Sequence, residues 1–417
     1  MAELKISSQN DEQSSWYGWI VAVLCLSTFA VSFAARQLWS ASIASASPEL
    51  GISMAQAGGL VSAFYVGNVS GGFFAGVFID NFGPRKCLSI SGIIIAICMF
   101  LVSLTHSYTV IFLLMVLAGL ASSPVYSGTV KMNLGWFTDK VRGTAMGFIM
   151  TGPAVGGLIV NAFYAPFIKN HGWRNAYVLA AAACLVVGVI VFFMAKEKGI
   201  ALANKTGKKK TSEERAVNMK GTLKVLFSGQ FFLGTIVQFL GINAGTGYTT
   251  WAIVYFMKVR NFSLTQAGGI LAAAGVVTIF STTLCGMLSD LLKSRRNLAM
   301  VGYTIQAVCI VVLAIAPDVR LLWATVLVRG LTGGLGGNSN NVMQAERAKG
   351  PYVGTVMGMY NALCQLGSVI APVLFGIVLD ITGSYFVILM SIAALYFTQA
   401  ICTFFLKETL QVAKQAS

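Results

Sequence analysis

Acidic residues are scarce in this sequence. It carries 14 Asp and Glu against 29 Lys and Arg, and charged residues of both signs fill only 10% of its 417 positions. A soluble chain of this size would carry about a quarter. Histidine is scarcer still, with His106 and His171 both in short outer loops. No Ser/His/Asp, Cys/His or paired-carboxylate arrangement stands out, and no polar domain is present to hold one, so the composition argues against an enzyme. The eight cysteines fall in or at the ends of apolar runs with no metal or redox spacing. They are expected to act as small packing residues, and no cofactor or metal is expected.

What the sequence does have is apolar length. Hydrophobic residues make up 56% of the chain and the mean hydropathy is +0.75. The apolar runs are continuous rather than alternating, which excludes a β-barrel and points to helices long enough to cross a membrane. Twelve such runs are predicted, at about 17–43, 54–79, 87–105, 108–131, 143–165, 174–195, 227–257, 264–288, 298–316, 320–343, 353–378 and 383–406. The expected fold class is an all-α membrane protein. The polar first ~15 residues and the length of the first run do not fit a cleaved signal peptide.

The net charge of +15 would suggest a nucleic-acid partner in a soluble protein, but its placement says otherwise. With the amino terminus inside, 22 of the 29 Lys and Arg residues fall in inner loops and tails. Arg36, Lys169, Arg174, Lys258, Arg260 and Arg320 lie on or near the outer side, and Arg329 lies within a span. This asymmetry is the positive-inside pattern, so both termini are expected in the cytoplasm, the partner is a lipid bilayer, and no nucleic acid is expected. One long hydrophilic segment, 196–226, separates the sixth and seventh runs with nine basic residues against three acids. It reads as a basic cytoplasmic linker lying on the membrane, dividing the chain into 1–195, 196–226 and 227–417.

The two outer segments repeat one turn. Gly76-x3-Asp80-x2-Gly83-x-Arg85-Lys86 follows the second run, and Gly286-x3-Asp290-x2-Lys293-x-Arg295-Arg296 follows the eighth, 210 residues later. Two copies in matching places imply two homologous six-helix halves. On these residues the chain resembles the major facilitator superfamily over nearly its whole length. The resemblance implies twelve transmembrane helices in two pseudo-symmetric halves that rock around a midplane site. It also implies that Gly76, Asp80, Gly83, Arg85 and Lys86, with Gly286, Asp290, Arg295 and Arg296, form cytoplasmic gate elements. A carboxylate at a helix end beside two cations is a contact that such motion can make or break.

A finer resemblance is to the anion:cation symporter branch, which carries sugar acids, phosphate and organic anions. It rests on Arg36, Glu49-Leu50-Gly51-Ile52, Ser62-Ala63-Phe64 and Asp80, on Pro124, Lys131, Trp136-Phe137 and Gly147-Phe148, on Trp251-x3-Tyr255, and on Gly358-x-x-Asn361 through Pro372, Gly376 and Asp380 to Thr382-Gly383-Ser384. Tyr17-Gly18-Trp19 and Gly172-Trp173-Arg174 with Tyr177 are similar to the oxalate/formate and monocarboxylate carriers. Gly152-Pro153-Ala-Val-Gly156-Gly157 is similar to a motif of drug/proton antiporters, although glycines at a helix crossing have a plain packing use.

Charges inside spans are the most informative residues, because each costs about 3 kcal/mol against lipid and turns toward a cavity or partner. Three qualify and all are cations: Arg36, Lys131 and Arg329. No Asp or Glu lies within the depth of a run. A positive cavity favours an anion, and an arginine fork matches a carboxylate or phosphate. Each has a bland alternative: Arg36 snorkels outward, Lys131 obeys the positive-inside pattern, and Arg329 braces its own helix beside Gly333-Gly334 and Gly336-Gly337. Polar and aromatic candidates on the spans that line the cavity in the resembled family are Gln37, Tyr65, Asn68, Tyr126, Gln238, Asn243, Tyr248, Tyr360, Asn361 and Gln365. Packing between helices is the competing use of each.

The departures from the branch concern its acids. Ala35 stands where an acid commonly precedes the first-span arginine, and Met115 and Ser122 replace a fourth-span arginine and acid. Uniport, anion exchange with a second anion, and symport with the proton carried on the substrate therefore stay open. The expectation is a secondary transporter of a small organic anion, a mono- or dicarboxylate or sugar acid, monomeric, in a plasma membrane of the bacterial inner-membrane type. The alternatives are an exporter of lipophilic drugs and a transporter-like anion sensor.

Overall fold

The computed structural model of the protein describes residues 2–137, 139–197, 223–292, 294–348 and 353–409, with side chains from 16 onward apart from 73, 139, 140, 143, 282–287, 289, 290 and 353–355. Among the described residues there is no strand. The first six spans are Ala2–Leu50; Met54–Phe82; Pro84–Leu104; Tyr108–Ser122 with Pro124–Trp136; Asp139–Ile149 with Gly152–Ile159, a π turn at Val160–Tyr164 and Ala165–His171; and Trp173–Met194. The last six are Gly229–Lys258, Leu264–Leu292, Arg295–Ile315, Val319–Arg347, Val353–Thr382 and Tyr385–Phe404. All twelve predicted runs are thus helical, and most of the helices extend past the apolar stretch.

Proline and glycine set the breaks. Pro84, Pro124, Pro153 and Pro166 each stand in the first turn of a helix, where the missing N–H would have had no partner in any case. Pro48, expected in the first loop, is instead taken into the last turn of span one, and the turn falls on Gly51 with φ +63°. Gly83 has φ +82°, a left-handed conformation that favours glycine, so the second span ends there and the third begins at once. The π turn in span five lies just before Pro166, where a widened turn accommodates the proline.

Nine of the described helices are long and apolar enough to cross a membrane, and Met54–Gly72 with Phe74–Phe82 makes a tenth. The seventh and tenth spans fall below that mark because they carry glycines, amides and, in the tenth, Arg329. Helices of this composition hide their polar face from lipid.

Residues 1–46 with 66–208 form one compact unit, and 47–65 with 209–417 form another. The stretch 47–65, which the sequence reading groups with the first half, clusters with the second unit. In the first unit, Val21, Cys25, Leu88, Met132 and Phe137 share one apolar cluster. Spans one and five cross closely there: a Cβ added to Gly156 would lie 2.4 Å from the Ala30 carbonyl oxygen. The glycine-proline motif of span five is therefore used for packing. In the second unit, Val237, Ala299, Tyr303 and Met343 form an apolar cluster. Seven cysteines are free, six of them buried, as packing residues would be; Cys285 lies outside the described side chains.

Candidate functional site

Arg36 lies deep in span one with its guanidinium carbon 4.0 Å from the centre of the Phe33 ring. The aromatic face holds the cation without cancelling its charge. Phe33 packs in turn on the span-five glycines, its Cβ lying 3.1 Å from a Cβ built at Gly156. The tight crossing therefore fixes the helix turn that carries Arg36. Gln37 beside it is half-buried. Asn68 in the same unit donates to Ser122 Oγ at 2.8 Å, and Tyr126 is more than half exposed, 6.4 Å from Phe29 by ring centres.

Lys131 is held elsewhere. Its Nζ lies 2.7 Å from Asp80 Oδ1, so the proposed anion ligand and the proposed gate carboxylate are partners in this structure. Arg85 donates from Nε to the Phe192 carbonyl at 2.8 Å, and its backbone N–H donates to Glu197 Oε1 at 3.0 Å. Gly83 is close enough that an added Cβ would meet Glu197 Oε1 at 2.5 Å. Gly76 and Lys86 are exposed.

The second unit repeats this arrangement. The Arg296 backbone N–H donates to Glu408 Oε2 at 2.9 Å, and Arg295 pairs with Glu346. Glu346 also accepts from Thr409 Oγ1 at 2.5 Å. Of Gly286 and Asp290 only the helical backbone is described. Glu197 and Glu408 were not among the candidates, although Lys196-Glu197 and Lys407-Glu408 recur at an offset of 211, as do Arg85 and Arg296. In both units a carboxylate beyond the last span caps the third helix of its own unit. A carboxylate is favourable at a helix N-terminus because it accepts from free N–H groups and meets the positive end of the dipole.

The remaining candidates divide by partner. Asn340 Nδ2 donates to the Gly234 carbonyl at 3.0 Å and to Gln238 Oε1 at 3.2 Å, and Tyr360 Oη donates to Asn341 Oδ1 at 2.9 Å. Gln238 and Tyr360 are thereby joined to an amide network of span ten that the candidate set missed. Gln365 accepts from Ser368 Oγ at 3.3 Å, and Asn361 is exposed. Tyr65 is 8% exposed, and Asn243 is buried with its Oδ1 unpartnered. Arg329 lies with its guanidinium carbon 3.6 Å from the centre of the Tyr248 ring and donates from Nη2 to Tyr396 Oη at 3.3 Å. It does not brace its own helix through backbone carbonyls. Its own carbonyl accepts from Gln306 Nε2 at 2.8 Å.

Comparison with known proteins agrees with this architecture. The chain is 25% identical over 407 residues to the probable sulfoacetate transporter SauU of Cupriavidus necator, covering 94% of each. It is 21% identical over 398 residues to the probable galactarate/D-glucarate transporter GudP of Bacillus subtilis, covering 88% of this chain and 87% of that one. The crystal structure of a D-xylose-proton symporter superposes with a TM-score of 0.77 at 15% identity, over 94% of this chain and 99% of that chain, which shows a shared fold. The family model described as Major Facilitator Superfamily matches residues 24–372 and 278–416. The protein is a multi-pass membrane protein that belongs to the Major Facilitator Superfamily, a family of transporters.

Proposed function

We propose that the protein carries a small organic anion, a mono- or dicarboxylate or sugar acid, across the bacterial inner membrane by alternating access. The observation that carries this reading is Arg36, a cation in a membrane span set on an aromatic face, in a chain whose apolar runs hold no acid within their depth. A cation in that setting attracts a carboxylate and repels organic cations. The names of the relatives support an acid as cargo, since both specify organic acids. The span-five glycines pack against span one, so their motif does not by itself call for drug export.

A thermal-shift screen of the purified protein tests this directly, because a ligand that binds only the folded state raises its melting temperature. Glucarate, sulfoacetate and short monocarboxylates are expected to raise it in the wild type. A rise with lipophilic cations and none with any acid would contradict the proposal.

A further inference from the structure

Each unit binds two backbone carbonyls at the end of its last span, but with different side chains. In the second unit Gln230 Nε2 donates to the Phe405 carbonyl at 3.3 Å, and Arg347 donates to the Lys407 carbonyl. Trp136, Met194 and Lys196 precede Arg347, Phe405 and Lys407 by 211 residues. There Trp136 Nε1 donates to the Lys196 carbonyl at 2.7 Å, and the Met194 carbonyl accepts from Tyr17 Oη. An amide and a guanidinium thus suffice to close these carbonyls. The aromatic rings of the first unit add something else.

What they add is a seat for a cation. Lys196 Nζ lies 4.9 Å from the centre of the Tyr17 ring, and the Tyr17 and Trp136 rings meet at 5.3 Å between centres. An aromatic face attracts an ammonium without neutralising it. Lys196 is exposed and takes part in none of the ion pairs among the described residues. The adjacent Glu197 turns to the first turn of span three, where it accepts the Arg85 N–H at 3.0 Å. In the second unit Arg347 sits in the field of Glu408 and Glu346, so its charge is answered within the protein. The charge of Lys196 is not.

This cation stands where three spans end at one level. The apolar part of span one starts at Trp16, and spans four and six stop at Trp136 and Met194. The positive-inside pattern assigns that level to the cytoplasmic leaflet. Beside it Trp16 is 71% exposed and Phe193 72%. We propose that Tyr17, Trp136 and Lys196 form a headgroup site for an anionic phospholipid, whose phosphodiester takes the Lys196 ammonium while its upper acyl chains lie against the exposed rings. Lys196 has no acid partner to share with a choline or ethanolamine group, so a headgroup of net negative charge fits it better. Free phosphate would meet the same ammonium but has nothing to place on the rings. The site is independent of the cargo.

Native mass spectrometry of the full-length protein released from detergent, titrated with phosphatidylglycerol or phosphatidylcholine of identical acyl chains, tests it. The first phosphatidylglycerol is expected to bind about fivefold more tightly than the first phosphatidylcholine, the ratio that one lysine at a membrane surface supplies. Lys196→Gln changes an exposed side chain and leaves the backbone carbonyl that Trp136 binds in place. It is expected to melt as the wild type does and to bring the two lipids to equal affinity. Lys407→Gln, at the matching place of the second unit, is expected to keep the preference. Millimolar inorganic phosphate is expected to leave the bound lipid in place. A preference that survives Lys196→Gln overturns the site. So does an equal loss in Lys407→Gln, which would show only a general attraction between positive charge and lipid, and so does displacement of the lipid by inorganic phosphate.

Discussion

Asp380, at the end of span eleven, caps span two. Its two carboxylate oxygens accept the backbone N–H groups of Met54 and Ala55 at 3.0 and 2.8 Å. Below the cap the helices touch through backbone: a Cβ on Gly376 would lie 2.5 Å from the Met54 carbonyl oxygen, and one on Gly58 would lie 2.1 Å from that of Pro372. The negative charge meets the positive end of a helix dipole where the first N–H groups have no intrahelical partner. This one contact explains why residues 47–65 cluster with the second unit.

Asp380→Asn keeps the size of the side chain and removes its charge, a loss of about 0.3–2 kcal/mol at a helix N-terminus. The crossing of spans two and eleven is expected to open more often. An Ala57→Cys reporter, at a position that is fully buried, should then react with maleimide severalfold faster in Asp380→Asn than in the parent. Equal labelling rates would show that the cap does not hold the crossing.

The Asp80–Lys131 pair predicts a separation of stability from turnover. Asp80 is 68% exposed and Lys131 20% by side chain, so solvent screens the pair and its contribution to stability stays within about 1 kcal/mol. Asp80→Asn is expected to leave the melting temperature nearly unchanged and lower kcat more than it changes KM. Equal loss in kcat and substrate binding would contradict a gating role.

Glu197 and Glu408 are predicted to act alike. Replacement of either by Gln removes a charged acceptor from the first turn of a helix, at Arg85 and Arg296 respectively, and should cost about 0.5–2 kcal/mol. Thermal unfolding of the two single variants checks this. A large effect for one and none for the other would break the equivalence of the two turns.

Span five offers a steric test. Gly156→Ala places a methyl 2.4 Å from a backbone oxygen, whereas Gly76→Ala meets nothing within 4 Å. The first is expected to destabilise the protein by about 1–3 kcal/mol through overpacking, and the second to leave packing undisturbed. Melting temperatures of the two variants decide it.

Much of this was legible in the sequence because the bilayer leaves few choices. Unbroken apolar runs become helices, and the repeated Gly-x3-Asp turn marks two copies of one unit. Contacts across the chain were not legible. Nothing in the spacing of Lys131 shows that it meets Asp80, since partner choice depends on how spans two and four cross. Arg329 was visible as a costly charge, but its seat on Tyr248 and its bond to Tyr396 needed three helices in place. Tyr396 lies on a span not expected to line a cavity. The Lys-Glu repeat was visible, yet only the geometry shows that each glutamate caps a helix start 112 residues before it.

The missing acids shape the energetics. No acid lies within the depth of an apolar run, so the prediction is that uptake follows the gradient of the anion. In proteoliposomes, collapse of the pH gradient is expected to leave initial glucarate uptake at neutral pH unchanged. Loss of uptake with the pH gradient would require a proton-coupling group elsewhere.

The central claim is that Arg36 holds the transported anion. Uptake of labelled glucarate and butyrate into proteoliposomes, with wild type and Arg36→Ala reconstituted at matched amounts, measures it most directly. The account predicts saturable uptake of at least one acid by the wild type and only background uptake by a folded Arg36→Ala protein. Wild-type rates in Arg36→Ala would contradict it.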